Sequence, residues 1–218
     1  MKNLILIILA IVSVILCNNS TINLFIQDVP IPKLYPGYSI GSNNAPLKLE
    51  MFMVLNCPYV EAFFNTSFDY IHEHYIKTNK LQMILHQYPL PYFSTCWDIT
   101  LTAKIMFNLN RNNYISFIRN VLNNRNLISN DNTLEITRLE LFKRIYENFV
   151  QKYNFITFER FKYELGTREN RVSCIQDYKF ASSKSISGTP QYLFNGVFMN
   201  KAGRYTLEEW KEFLNKFE

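Results

Sequence analysis

The chain has 218 residues, of which 48% are hydrophobic and 16% aromatic, and it contains only 6 glycines and 8 prolines. This composition excludes a disordered or low-complexity chain and suits one domain, or one domain with a sizeable insert. The net charge is +5, but its densest basic stretch, residues 111–125, is typical of a solvated helix face. No nucleic-acid partner is therefore expected.

The N-terminus has the pattern of a secretory signal peptide. Lys2 is followed by an almost unbroken apolar run over residues 4–16, shorter than the roughly 20 residues that a membrane-spanning helix needs. We predict a signal peptide over residues 1–17, cut at 17–20, with an uncleaved anchor as the alternative. The remaining chain is then expected in the secretory pathway, in the endoplasmic reticulum lumen or outside the cell, with no membrane partner once the signal is removed.

The first half of the chain predicts a strand, a helix and a second strand. Residues 22–45 are expected to be extended because prolines interrupt them. The apolar run 47–55 predicts a central strand covered on both faces. A helix over 58–76 follows, since Pro58 suits a first helical turn, and residues 81–88 predict the second strand. Two such strands joined by a helix indicate a right-handed parallel crossover.

The middle of the chain shows only helical periodicity, and the tail returns to strand patterns. The candidate helices cover residues 99–109, 114–122, 134–150, 157–165 and 168–183. Asn195-Gly196 splits the apolar stretch 191–199 and predicts a tight hairpin. Thr206 and Glu209 form a capping box that opens a last helix, whose apolar stripe includes Trp210.

Four motifs in this order give the chain a family resemblance. They are IGSNNAP (40–46), CPY (57–59), SGTPQYLFNG (187–196) and the closing helix with Trp210. Together they resemble the DsbA-like branch of the thioredoxin superfamily. The CPYV sequence and the Thr137-Arg138 pair are similar to a eukaryotic secreted branch that keeps a single active-site cysteine.

The resemblance implies an α/β thioredoxin fold with an inserted α-helical domain. The first half of the thioredoxin fold would cover residues 22–93, the helical insert 94–185 and the second half 186–218. Cys57 would be the catalytic residue. Pro58, Tyr59, Val60, Thr189 and Pro190 would form a substrate groove, with Pro190 in the cis conformation.

Two parts of a dithiol active site are absent from this sequence. Val60 occupies the place of the second cysteine of a C-x-x-C motif. Met51 occupies the strand position where dithiol relatives often carry an acidic residue. Glu50 is adjacent, but neighbouring residues on a strand face opposite ways. The resemblance therefore implies a one-thiol site.

One thiol limits the chemistry to mixed disulfides. A helix N-terminus stabilises a thiolate, so Cys57 is expected to attack a substrate disulfide. Release would need a substrate thiol or glutathione as reductant, and no other cofactor is expected. The expected partners are protein thiols and disulfides, or an extended peptide.

Several alternatives stay open at this stage. Cys57 is a reactive thiol, an inert buried thiol, or a member of a disulfide. Cys57, Cys96 and Cys174 are an odd number once Cys17 leaves with the signal, so either one pair forms and one thiol stays free, or all three stay reduced. The alternative functions are a non-catalytic, chaperone-like peptide-binding domain and, with less support, an enzyme like the kappa-type glutathione transferases.

Glycosylation and metal binding are two further site types that the sequence bears on. Sequons begin at Asn18, Asn19 and Asn65, and Asn65 would face water on the helix over 58–76, so it is a candidate glycosylation site. The histidines lack ligand partners at suitable spacing, so no metal site is expected.

Overall fold

The structure is a computed structural model that describes residues 29–217, and residues from Pro32 onward form one compact unit. The predicted signal peptide, its cleavage site and the sequons at Asn18 and Asn19 lie outside the described residues. Within the described range, no helix combines the length and the apolar character needed to cross a bilayer.

A five-stranded mixed sheet forms the centre of the fold. The strands are β1 (Tyr38–Ile40), β2 (Leu47–Met53), β3 (Leu81–Gln87), β4 (Gln191–Phe194) and β5 (Val197–Phe198). Their order is β1-β3-β2-β4-β5, and only β2 and β3 run parallel to each other. The predicted parallel crossover is therefore confirmed, and the sheet has antiparallel strands on both sides of it.

The two central strands are the two apolar runs of the first half. All seven residues of β3 are buried, as are the last five of β2. Buried parallel strands carry apolar residues on both faces, whereas a half-exposed strand alternates. The prediction of a central strand over 47–55 is therefore confirmed, and the second predicted strand, 81–88, lies beside it as β3.

The helices fall into three groups along the chain. Between β2 and β3 lie α1 (Pro58–Thr66), α2 (Phe68–Ile71) and a π-helical turn (His72–Ile76). Between β3 and β4 lie α3 (Cys96–Leu109), α4 (Tyr114–Asn123), α5 (Asn130–Thr133), α6 (Arg138–Ile145), α7 (Phe158–Gly166) and α8 (Arg168–Ser183). After β5 comes α9 (Leu207–Leu214), and a 3-10 turn (Asn215–Phe217) ends the described chain. The helical segment thus interrupts the sheet between its third and fourth strands, as expected for a thioredoxin fold with a helical insert.

The prediction of a single helix over 134–150 was wrong. The structure has α6, followed by a π-helical turn over Tyr146–Val150, and Leu134 lies before this helix with 81% of its surface exposed. The helix begins only at Arg138 because Thr137 is its N-cap: the side chains of Thr137 and Glu140 form a reciprocal capping box. Arg138 pairs with Asp98 on α3 at 2.7 Å, so the Thr137-Arg138 pair has a structural role.

Helices cover both faces of the sheet. On one face, Tyr192 of β4 contacts Phe63 of α1 and Trp210 of α9, with ring centroids 5.7 and 5.0 Å apart. On the other face, Phe180 of α8 packs against Phe52 and His86. Cys57 directly precedes α1, so it lies on the first of these two faces.

Candidate active site

Cys57 is the N-cap residue of α1. Its backbone is extended (φ −83°, ψ 124°), and Pro58 occupies the first helical position, where the missing N–H of proline has no cost. No side chain caps this helix, so the thiol lies beside free backbone N–H groups at the positive end of the helix dipole. Cys57 is 5% exposed.

The Cys57 thiol contacts the loop that precedes β4. Its Sγ donates to the carbonyl oxygen of Thr189 at 3.2 Å. The Thr189–Pro190 peptide bond is cis, the conformation that the resemblance implies. The structure therefore brings Cys57 together with Thr189 and Pro190, from opposite ends of the chain.

The side chain of Gln191 organises this loop. Its Oε1 accepts hydrogen bonds from the backbone N–H groups of Ser187, at 2.9 Å, and Gly188, at 3.2 Å. These two bonds fix the backbone just before Thr189, and Gln191 itself is held in β4 by pairing with Phe52. The Thr189 carbonyl that faces Cys57 is thus positioned by the sheet.

Two residues stand where dithiol relatives carry a second cysteine and an acidic side chain, and both point into the core. Val60 and Met51 are both completely buried. Val60 therefore does not line the surface of the groove, contrary to the expectation. Pro58 is exposed and Tyr59 is 46% exposed, so these two residues form the accessible surface next to the thiol.

The second wall of the groove was not predicted from the sequence. It is a short 3-10 turn, Ala202–Arg204. The Arg204 guanidinium lies 4.9 Å from the centre of the Tyr59 ring, a cation–π contact. KAGRY carries no recognisable motif, so only the folded chain shows that this turn contacts Tyr59.

Two depressions lie next to Arg204. One, of about 160 Å³, is bounded by Tyr59, Arg204 and aromatic core residues that include Tyr192 and Trp210. The other, of about 780 Å³, lies on the side of the cis proline. Its lining residues are Pro190, Gln191, Phe198, Met199, Lys201, Gly203, Arg204, Tyr205 and Glu209.

The three cysteines of the described part of the chain are free and buried. The Sγ of Cys96 accepts a hydrogen bond from the backbone N–H of Leu90 at 3.1 Å. Burial raises the pKa of the Cys96 thiol to about 12, and burial raises that of Cys174 likewise to about 12. Neither thiol ionises appreciably at neutral pH, so Cys57 is the candidate nucleophile.

Glu50 faces away from Cys57, as its strand position predicted. It is 4% exposed, and its Oε2 binds the Tyr35 hydroxyl at 2.8 Å and His86 Nε2 at 2.9 Å. Burial acts to raise the pKa of Glu50, but these hydrogen bonds, with the charges of His86 and Lys184, lower it overall. This cluster stabilises the other face of the sheet. Among residues 29–217, no three metal-binding side chains are grouped together.

A cysteine at a helix N-cap, facing a cis-proline loop on a mixed sheet, defines the thiol–disulfide oxidoreductase type of fold. The chain belongs to the thioredoxin family, whose sequence profile matches residues 35–216. No curated protein sequence matches the chain.

Several solved structures with the same fold are DsbA-like proteins. BdbD from Bacillus subtilis has a TM-score of 0.66 at 16% identity and covers 83% of this chain and 91% of its own. Wolbachia pipientis α-DsbA1 has a TM-score of 0.66 at 20% identity, covering 87% and 94%. Chlamydia trachomatis DsbA has a TM-score of 0.62 at 13% identity, covering 88% and 95%. At these identities the likeness concerns the fold.

Proposed function

We propose that this protein is a monothiol thiol–disulfide exchange factor, of isomerase type, that acts on protein thiols in the secretory pathway and belongs to a eukaryotic secreted branch with one active-site cysteine. The observation that carries the proposal is the position of Cys57: its Sγ lies at a helix N-terminus and 3.2 Å from the carbonyl oxygen of Thr189.

The exchange reaction has two balanced steps. The Cys57 thiolate attacks one sulfur of a substrate disulfide, a bond between Cys57 and that sulfur forms, and the other substrate sulfur leaves as a thiolate. A second thiolate then attacks the substrate sulfur of the mixed disulfide and releases Cys57. If this thiolate comes from the same substrate, disulfides are rearranged without net oxidation. If it comes from glutathione, the substrate keeps one free thiol and one glutathione disulfide.

The groove residues support binding of the substrate next to the thiol. Pro58 and Tyr59 are accessible on one side, and Pro190 begins the opposite wall. A fixed peptide segment there would place a disulfide close to Cys57, and fixed placement lowers the entropy cost of the exchange. Thr189 would orient the thiol through its carbonyl oxygen.

The experiment that tests this function is capture of the mixed disulfide. The folded protein is incubated with a protein disulfide, quenched with acid and analysed by mass spectrometry. We expect one adduct per chain, at Cys57, and none with Cys57→Ser. Cys96→Ser is the matched control and should keep the adduct. A folded wild-type protein that forms no adduct, and does not rearrange scrambled ribonuclease in a glutathione buffer, contradicts the proposal.

A non-catalytic peptide-binding function is the second candidate. The complete burial of Val60 and Met51 favours it, because both places of the dithiol machinery are filled with packed apolar side chains. Under this function, Cys57→Ser would bind unfolded protein as tightly as wild type. Loss of binding together with loss of the thiol would instead favour the exchange reaction.

Passage through the secretory pathway has its own test. The predicted signal peptide motivates it, and Asn65 is exposed near the end of α1, so a glycan there meets no core residue. We expect the protein secreted by cells to lose mass when glycans are removed. Asn65→Gln should reduce that loss by the mass of the glycan at Asn65. A protein retained in the cytosol with residues 1–17 intact would contradict the localisation.

A further inference from the structure

Two cations at the edge of the groove, Lys201 and Arg204, have no acidic partner in the part of the chain that the structure describes. Four arginines of the helical insert are paired with carboxylates, including Arg125 with Glu61 and Arg138 with Asp98. Lys201 and Arg204 make no hydrogen bond or ion pair with an acidic side chain among residues 29–217, and both line the larger cleft beside Pro190. Arg204 instead rests on the Tyr59 ring.

The turn Ala202–Arg204, which carries Arg204 and directly follows Lys201, packs against the cis-proline loop. A Cβ on Gly203 would lie 2.6 Å from the carbonyl oxygen of Pro190, so the backbone of the turn packs directly on that peptide group. Ala202 is buried beside it. Lys201 precedes the turn in a left-handed conformation, with φ 70°. The chain leading to the two cations is therefore fixed relative to Pro190.

The cleft keeps an excess of positive charge. Its one acidic lining residue is Glu209, and the Oε2 of Glu209 is already bound to the backbone N–H and the hydroxyl of Thr206, at 2.7 and 3.0 Å. Lys201 and Arg204 thus face one carboxylate that has its own partners. Next to the cations, Phe198 and Met199 offer partly exposed apolar surface.

We propose that this cleft binds an acidic segment of the substrate protein, with an Asp or Glu one to three residues from the cysteine that Cys57 attacks. Tyr59 is two residues from Cys57 and carries Arg204 on its ring. An extended peptide advances about 3.3 Å per residue, so a carboxylate a few residues from the reacting sulfur can reach the cations. An apolar neighbour would contact Phe198 and Met199. This inference rests on the proposed function, for which it names the substrate class.

The first test measures binding without thiol chemistry. Fluorescent peptides with serine in place of cysteine carry Glu, Gln or Lys at the flanking positions, and their binding to the full-length mature chain is followed by anisotropy. We expect the order Glu, then Gln, then Lys, with the Glu preference falling as salt is added. Exchanging both Lys201 and Arg204 for Gln should weaken the binding of the Glu peptide about 3–10-fold, since partly exposed ion pairs contribute modestly to affinity.

Matched variants separate the cleft from a general charge effect. Arg168→Gln removes a positive charge from an exposed residue of α8 and should leave peptide binding unchanged, whereas Arg204→Lys should keep most of it. All variants are checked for folding by circular dichroism. Equal binding of Glu, Gln and Lys peptides to the folded wild type overturns the inference. It is also overturned if Arg168→Gln loses as much binding as the variant in which Lys201 and Arg204 are both exchanged for Gln.

The second test separates this inference from the exchange function. The same peptides, now as disulfides with a chromogenic thiol, react with wild type. Faster mixed-disulfide formation with the Glu peptide supports the inference, and equal rates for the Glu and Lys peptides overturn it while the exchange function stands. If no peptide reacts but the serine peptides still bind in the expected order, the exchange function fails and the acidic cleft stands. Displacement of the Glu peptide by reduced glutathione at equal concentration would assign the cleft to glutathione and overturn the protein-segment inference.

Discussion

Gly203 lies against the carbonyl group of Pro190 so closely that a Cβ at position 203 would be 2.6 Å from the oxygen. The obstructing atom belongs to the backbone, so it cannot swing aside as a flexible side chain would. This contact joins the cation-bearing turn to the loop that faces Cys57. The distance between this turn and the cis-proline loop thus depends on glycine at position 203, which has no side chain.

Gly203→Ala is therefore expected to move the Pro190 backbone. Inserting a methyl group into a packed contact of this kind costs about 1–3 kcal/mol, and we expect urea unfolding to show a loss of that size. Alkylation of Cys57 should change as well, because the Thr189 carbonyl moves with Pro190. Gly166→Ala is the control, since nothing lies within 4 Å of its added Cβ. Equal stability of the two variants would contradict the tight contact.

Selective labelling will distinguish the three buried thiols. In the folded protein at about pH 8, iodoacetamide should modify Cys57 first, because thiols with a pKa of about 12, as for Cys96 and Cys174, are almost entirely protonated there. Peptide mapping of partly modified protein measures the order. Full labelling of all three should appear only in denaturant. Early modification of Cys96 or Cys174 in folded protein would show that the site has been assigned to the wrong thiol.

Val60→Cys should convert the site to a dithiol. Val60 lies in the first turn of α1, three residues after Cys57, where helical side chains are neighbours. We expect a 57–60 disulfide under mild oxidant and catalytic reduction of insulin, with little turnover in wild type. Adding Cys57→Ser to this variant keeps the new thiol without its partner and should abolish turnover. Efficient turnover by wild type would mean that the second thiol already exists elsewhere.

Acid should remove the contribution of Glu50 to stability. Its pKa is lowered in the folded protein, so its stabilising effect is complete above the pKa of the unfolded chain, near 4.3, and is lost as the pH falls through the folded value. At neutral pH, Glu50→Gln should cost about 1–3 kcal/mol, because Tyr35 and His86 lose a charged acceptor. The difference from wild type should shrink as the pH falls below the pKa of the unfolded chain.

Urea unfolding across that pH range measures the effect of Glu50→Gln. The exposed Glu73, which pairs with Lys77 at 2.8 Å, provides the control: Glu73→Gln should change stability little at any pH. A difference between wild type and Glu50→Gln that stays constant with pH would show that the carboxylate charge contributes nothing.

The sequence predicted the central part of the fold because its signals are local. Apolar runs marked β2 and β3, and Asn195-Gly196 marked the hairpin, where both residues have positive φ, 48° and 81°. Thr206 and Glu209 marked the start of α9, and the capping box is present. Each of these features is decided by residues within a few positions of one another.

Strand β1 and the second groove wall were missed for the opposite reason. β1 has only three residues, Tyr38–Ile40, and its pairing with β3 is what makes it a strand. The role of Arg204 depends on its contact with the Tyr59 ring, and the role of Gly203 depends on its contact with the Pro190 carbonyl. Contacts between distant segments leave no periodicity in the sequence, so pattern analysis does not reveal them.

The helical segment between β3 and β4 also has a consequence for the order of folding. Cys57 and Thr189 are 132 residues apart in the chain, and closing so long a loop is slow compared with forming the β2–α1–β3 unit. During synthesis from the N-terminus, that early unit would expose the Cys57 thiol before the segment that covers it has been made. The new chain is thus most open to mispaired disulfides just before its last thirty or so residues emerge, and a truncation that removes β4 would leave a permanently uncovered thiol.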